Sequence, residues 1–149
     1  MIEIREFSTL IFVAFATVSH PAHATDDWDQ DWTVVTMAHN GSWGIGTHRH
    51  VTSALASAIS DCRAMSTTTS DCGAESVSSR GGWVLGLRCG DYIILASARH
   101  LKEAETAALN REIDLKELYV PDLPPCRRVL TVNPYGVATA ADARPSIHR

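Results

Sequence analysis

The sequence predicts an α+β fold in which two β-β-α-β repeat units form one mostly antiparallel sheet covered by two helices, with two disulfides. Three observations support this prediction. A strand, a tight turn, a second strand, a helix and a further strand follow one another twice along the chain. Apolar residues recur at helical spacing in both predicted helices. Four cysteines are present, two in each predicted unit.

The chain begins with a pattern typical of a signal peptide. Residues 10–18 form a short, largely apolar run, and Ala22-His23-Ala24 gives the small-x-small pattern that a signal peptidase cleaves. A membrane-spanning helix would need about 20 apolar residues, which disfavours a membrane anchor. Residues 1–24 are therefore predicted to be removed on export, leaving a periplasmic or secreted protein with no membrane span.

The composition of the remaining chain limits its partners. Residues 25–149 carry 12 basic and 15 acidic side chains, a formal charge of −3. They contain no stripe of Lys or Arg that could neutralise phosphates, so no nucleic acid partner is expected. We expect an acidic N-terminal segment at 25–31, a single disulfide-bonded α+β domain at 32–137 and a flexible C-terminal tail at 138–149.

The cysteines predict cross-links rather than a metal site or a reactive thiol. An even number in an exported domain is typical of disulfides, although four cysteines permit three pairings. The predicted order of elements favours Cys62 with Cys72 and Cys89 with Cys126. The chain has no Cys-x-x-Cys of the kind that holds zinc.

The first predicted unit starts with a hairpin. Strands at 32–39 and 43–47 flank Asn40-Gly41, a dipeptide that favours a tight turn. A helix follows, and a strand from Cys72 to about residue 78 closes the unit. The helix is predicted from an apolar stripe at the spacing i, i+3, i+4, i+7, i+8 and i+11, formed by Val51, Ala54, Leu55, Ala58, Ile59 and Cys62.

The second predicted unit repeats this order. Strands at 83–89 and 92–98 flank Gly90-Asp91, a helix covers 101 to about 118, and the last strand covers 127–132. Pro121, Pro124 and Pro125 separate that helix from that strand. Several residues correspond between the units: Gly41 with Gly90, Trp43 with Tyr92, Ile45 with Ile94, His50 with His100, Ala54 with Ala104, Ala58 with Ala108 and Cys72 with Cys126.

Several short motifs, together with the signal peptide, resemble a family of small exported bacterial proteins named domain of unknown function 4189. The resemblance covers roughly residues 32–132, implies an exported location and brings no catalytic residues. The motifs that carry it are Ser42-Trp43-Gly44, the helix from Ala54-Leu55 to Cys62, Asp71-Cys72-Gly73, Cys89-Gly90 and the helix from Glu103-Ala104-Glu105 to Ala108.

Histidines form the first candidate site. His48 and His50, together with His39 and His100, could supply imidazole ligands to zinc or copper. The alternative is structural: His50 and His100 each lie directly before a predicted helix, which by itself would explain their correspondence.

Arg80 is the second candidate, because Ser78-Ser79-Arg80-Gly81-Gly82 is expected to form an exposed turn. A guanidinium is the usual anchor for carboxylate or phosphate, although the same residues also suit an ordinary turn. Gly44-Ile45-Gly46 lacks the third glycine of a dinucleotide-binding loop. Those glycines are instead predicted to let a strand pack closely against the helix.

No catalytic signature is present. The chain lacks Gly-x-Ser-x-Gly, Ser-x-x-Lys and His-Glu-x-x-His, although His39 or His48 could form a triad with Ser42 and a distant Asp. We therefore expect a binding or interaction module without a cofactor, acting on an unknown protein or envelope ligand. The alternatives are a small metal-dependent or hydrolytic enzyme using the His39, His48 and His50 region, and a structural envelope component with an apolar patch around Trp28 and Trp32.

Overall fold

A computed structural model describes residues 30–65 and 71–140. The predicted signal peptide, most of the acidic segment and residues 141–149 of the predicted tail lie outside the described residues. The described elements are β1 (Trp32–Met37), β2 (Trp43–His48), α1 (Val51–Met65), β3 (Glu75–Arg80), β4 (Trp83–Cys89), β5 (Tyr92–Ala98), α2 (Leu101–Leu118), β6 (Arg127–Val132) and β7 (Ala138–Ala140). Neither helix of this part is long and apolar enough to cross a membrane.

The strands pair in antiparallel fashion and, with the two helices, confirm the predicted α+β class. They divide into two sheets of order β2-β1-β3 and β5-β4-β6-β7, rather than the one sheet expected. The physical reason is that both faces of the inner strands are apolar, as at Val34 and Val35 or Val84 and Leu85, all of them buried. Such a sheet needs cover on both sides, and a helix can supply only one of them.

The two halves share one topology. In each half a hairpin is followed by a helix and then by a strand that pairs with the first strand of the hairpin, β3 with β1 and β6 with β4. The short strand β7 is added outside β6. The domain therefore consists of two halves built in the same order.

The core lies between the sheets, and each helix covers an outer face. Buried side chains of both sheets form the central cluster: Val35, Met37, Val84, Leu95, Leu130 and Val132. On the outer faces, Ala54 and Ala58 of α1 pack against Val34, whereas Ala104 and Ala108 of α2 pack against a cluster that includes Leu85. The two sheets are thus sandwiched between two helices.

At Gly44 and Gly46 the backbone of β2 packs directly against the backbone of α1. A Cβ atom added at Gly44 would collide with the carbonyl oxygen of Ala58, and one added at Gly46 would collide with that of Ala54. The prediction that these glycines allow close packing of strand and helix is confirmed.

The first hairpin loop is one residue longer than the Asn40-Gly41 turn predicted. Gly41 N–H donates to the Ala38 carbonyl at 2.9 Å, and Ala38 N–H donates to the Ser42 carbonyl at 2.8 Å. Gly41 has φ 92°, as expected where a three-residue loop ends in a left-handed glycine. The loop therefore comprises residues 39–41, and Met37 pairs with Trp43.

Both predicted disulfides are present. Cys62 in α1 is bonded to Cys72 before β3, and Cys89 at the end of β4 is bonded to Cys126 before β6. Each bond therefore lies within one half of the domain.

Two strand boundaries differ from those expected. The third strand begins at Glu75 rather than at Cys72, because residues 71–74 form a turn closed by Ala74 N–H donating to the Asp71 carbonyl. At the other end, the sheet continues beyond residue 137. Residues 133–137 turn the chain back, so that Ala138 pairs with Val132.

Candidate functional site

The N-terminal end of β1 brings together the three predicted binding residues. Trp32 pairs with His48 on β2 and with Arg80 on β3. Residues directly opposite each other in antiparallel strands share one face of the sheet. Trp32 packs with Val34 and Ala54, so this is the face covered by α1. The side chains of His48, Trp32 and Arg80 therefore form a row across the sheet, at the start of α1.

Gln30 and Trp32 both contact the Arg80 side chain. Its Nε donates to the Gln30 carbonyl at 2.9 Å, and its guanidinium carbon lies 5.5 Å from the centroid of the Trp32 ring. That separation is within the range of a cation–π interaction. Arg80 is the last residue of β3, whereas the sequence predicted it in the turn that follows. Its position is consequently set by sheet pairing.

His50, the residue directly before α1, lies beside His48 at one end of this row. Its ring centroid lies 5.7 Å from that of His48, and its backbone N–H donates to Nδ1 of His48 at 3.1 Å. That hydrogen bond requires Nδ1 of His48 to be unprotonated. Both histidines are exposed. We call Trp32, His48, His50 and Arg80 together the Arg80 cluster.

The two histidines that precede helices have equivalent backbone roles. The His50 carbonyl accepts the Ala54 N–H, and the His100 carbonyl accepts the Ala104 N–H, both at 3.0 Å. Both histidines therefore stand directly before a helix, as predicted. The helix starts differ in charge, because the first turn of α1 has no acidic residue whereas that of α2 has Glu103. Glu103 forms a capping box with His100.

The four histidines proposed as metal ligands are not brought together. His48 and His50 are neighbours, but His39 lies in the hairpin loop at the opposite end of β1 and β2, and His100 precedes the other helix. Among the described residues, no group of three or more His, Cys, Asp or Glu side chains is placed to hold a metal ion.

His39 has a different partner, Asp71. Its backbone N–H donates to Oδ2 of Asp71 at 2.6 Å, and its Nδ1 lies 3.0 Å from the same oxygen. The backbone hydrogen bond is the main reason that the pKa of Asp71 lies below its ordinary value. From the second sheet, Arg88 Nη2 donates to the His39 carbonyl at 2.6 Å. These contacts fasten the first hairpin loop to the disulfide-bonded turn and to β4.

A triad of Ser42, His39 and an aspartate needs two contacts, and the structure contains the one between His39 and Asp71. His39 meets an aspartate, but Ser42 is nearly buried, 9 % exposed. Its backbone N–H donates to the Asn40 side chain at 2.9 Å, an interaction that shapes the loop. The Asp71–His39 pair therefore has a clear structural role in holding this loop.

Two members of these sites were not predicted as partners. The sequence indicates Trp32 only as the start of a strand and part of an apolar patch, and Asp71 only as the neighbour of a cysteine. Trp28, the other residue of that patch, lies outside the described residues, and Trp32 is half-buried under Arg80 and α1.

Comparison with known proteins gives no relative from which a role could be transferred: no family model, curated protein or solved structure matches this chain.

Proposed function

We propose that this chain is an exported binding module of the periplasm or extracellular space, acting without catalysis, and that the Arg80 cluster recognises an anionic group. The observation that carries the proposal is the cross-strand row His48, Trp32 and Arg80, with His50 beside it. Two separately predicted candidates, the pair His48 and His50 and the residue Arg80, meet at one place on the surface.

The chemistry of the cluster suits a carboxylate or phosphate ester. A guanidinium presents several N–H donors in a plane that matches two oxygens of such a group. The Trp32 ring orients the guanidinium, and each neutral imidazole adds one ring N–H donor. The positive end of the α1 dipole lies beside them, and the first helical turn contains no acidic residue to oppose an anion.

Export and family membership are part of the same proposal. Two disulfides favour a compartment in which thiols are oxidised, in agreement with the predicted signal peptide. The motifs shared with domain of unknown function 4189 support membership in that family. His50 and His100, Ala54 and Ala104, and Ala58 and Ala108 are each 50 residues apart and occupy equivalent positions. This spacing supports an origin of the two halves as repeated units.

The test is a titration of the purified protein with sulfate, phosphate and citrate, followed by isothermal calorimetry. We expect Arg80→Lys to weaken binding about tenfold, because the charge remains but the planar pair of donors is lost. Since Lys also cannot reproduce the bond to Gln30, circular dichroism must show an unchanged fold. His50→Ala should weaken binding less, by about threefold, since one hydrogen bond contributes about 0.5–1.5 kcal/mol.

Arg63→Ala is the control, because Arg63 is an exposed arginine in the last turn of α1. The Arg80 cluster lies at the other end of that helix. The affinity of Arg63→Ala should equal that of the unmodified protein. Equal affinity for Arg80→Lys and Arg63→Ala, or no binding of any of the three anions, would refute the proposal.

A further inference from the structure

A cavity of about 240 Å³ opens at the end of the sandwich where β1 begins, β2 ends and the β6–β7 turn crosses. It is lined by Gln30, Asp31, Thr33, Thr47, Pro134 and Tyr135. The cavity lies next to the Arg80 cluster but on the other face of β1, because Trp32 and Thr33 are successive residues of one strand. None of its lining residues belongs to that cluster.

The cavity wall consists of hydrogen-bonding groups and carries no positive charge. Thr33 and Thr47 are directly paired across β1 and β2, and Thr33 is only 2 % exposed. Gln30 and Asp31, the two residues before β1, complete the lining. Hydroxyl and amide groups both donate and accept hydrogen bonds, whereas a carboxylate only accepts. No lysine or arginine is among the lining residues, so the cavity does not suit an anion.

The remaining wall consists of Pro134 and Tyr135 in the turn between β6 and β7. Tyr135 is 81 % exposed, yet the Asn133 side-chain oxygen accepts the N–H of Tyr135 at 2.9 Å and that of Val137 at 3.0 Å. Gly136 has φ 76°, and a Cβ atom there would crowd the Thr47 hydroxyl. The turn therefore sits directly on the threonine pair and holds the tyrosine at the cavity mouth.

We propose that this cavity binds a single uncharged carbohydrate ring. A pyranose has a face of C–H groups that can stack on an aromatic ring, and an edge of hydroxyls that need both donors and acceptors. Tyr135 provides the first surface, and Thr33, Thr47, Gln30 and Asp31 provide the second. The volume lies below the roughly 300–1,000 Å³ of clefts that hold drug-sized molecules, which fits one ring rather than a chain of rings.

The test is a two-dimensional ¹⁵N–¹H NMR titration of the purified protein with glucose, galactose, N-acetylglucosamine and N,N′-diacetylchitobiose. At least one sugar should cause saturable shifts of the Thr33, Thr47 and Gly136 amides. Tyr135→Ala should weaken this binding about tenfold, and Tyr135→Phe, which keeps the ring, should preserve it. Thr47→Val, which replaces the hydroxyl by a methyl group, should weaken it about threefold.

Val137→Ala is the matched control, because Val137 is exposed on the same turn but does not line the cavity. A sulfate titration of the same sample should shift the Arg80 cluster and not these amides, so a failure of the anion proposal would leave the carbohydrate result unaffected. The inference is overturned if no sugar produces saturable shifts at these three amides, or if Tyr135→Ala binds as the unmodified protein does.

Discussion

The two halves of the domain have the same order of elements but attach their helices in different ways. In the first half, β2 presents Gly44 and Gly46 to α1, and the helix backbone touches the strand. In the second half, Ala96 of β5 packs against Ala104 and Ala108 of α2, so methyl groups fill the interface. One topology therefore tolerates two separations of helix and sheet, each set by the residues on one strand.

The helix starts differ in a way that concerns function. Position 103 in α2 is a glutamate that caps its own helix, whereas the residue 50 positions earlier, Ser53 in α1, carries no charge. Beside that uncharged turn lie Arg80 and two histidines. The first half thus leaves a positive helix start next to a guanidinium and two imidazoles, while the second half neutralises its own helix start.

The largest losses of stability in either half should come from removing the disulfides. Replacing Cys89 and Cys126 by alanine should lower the free energy of unfolding by about 4 kcal/mol, and replacing Cys62 and Cys72 by about 3 kcal/mol. The reason is that the first bond spans 37 residues and the second only 10. Equilibrium unfolding in guanidinium chloride measures both losses. A larger loss for the Cys62 and Cys72 pair would show that loop length does not decide the order.

An exchange of small residues tests the two helix interfaces. Gly46→Ala should cost about 3 kcal/mol, because the new methyl group would overlap the Ala54 carbonyl and push α1 away. Ala96→Gly, at the helix-facing position of β5, should cost only about 1.5 kcal/mol through a lost methyl contact and a more flexible unfolded chain. Urea unfolding of the two variants compares them. Equal losses would mean that the two interfaces are equally close.

The elements of the fold could be predicted from the sequence because local patterns specify them. Both helices, both hairpins and both disulfide pairings follow from such patterns, although Val51 of the predicted apolar stripe is exposed and the first hairpin loop is one residue longer than predicted. The division into two sheets was not predicted, since an apolar strand such as 83–89 indicates burial on both faces without indicating what covers each face. Only the three-dimensional packing distinguishes a helix from a second sheet.

The length of the first hairpin loop decides which residue lies opposite Trp32 and thus which residues form the candidate site. A two-residue turn at Asn40-Gly41 would place Arg49 opposite Trp32, whereas the observed three-residue loop places His48 there. A shift of one residue moves every side chain of a strand to the other face. Residue type therefore identifies Arg80, His48 and His50 as candidates, but it does not predict that they assemble around Trp32. Likewise, Asp71 lies 32 residues from its partner His39, and no local pattern relates them.

Exchanging the residues at the two helix starts should change the free energy of unfolding less than the substitutions above, but it should also alter anion binding. Ser53→Glu should stabilise the protein by about 0.5 kcal/mol through the α1 dipole, and Glu103→Ser should destabilise it by about 1 kcal/mol through loss of the capping box. If the Arg80 cluster binds anions, Ser53→Glu should also weaken sulfate binding severalfold, while Glu103→Ser should not affect it. Thermal unfolding and calorimetry measure the two effects separately. Unchanged sulfate affinity in Ser53→Glu would place the anion elsewhere.

The smallest expected effect concerns Asp71 and depends on pH. Because the His39 N–H holds the pKa of Asp71 below its ordinary value of 3.8, the carboxylate stabilises the folded state only while it is ionised. Asp71→Asn should therefore lower the melting temperature by a small amount at pH 7. That difference should be fully present above pH 3.8 and should shrink as the pH falls through the lowered pKa of the folded protein. Asp91→Asn, in the exposed turn of the second hairpin, is the matched control and should leave the melting temperature unchanged. A difference between unmodified protein and Asp71→Asn that persists undiminished at pH 2 would mean that the ionised carboxylate is not what fastens the first hairpin to its disulfide.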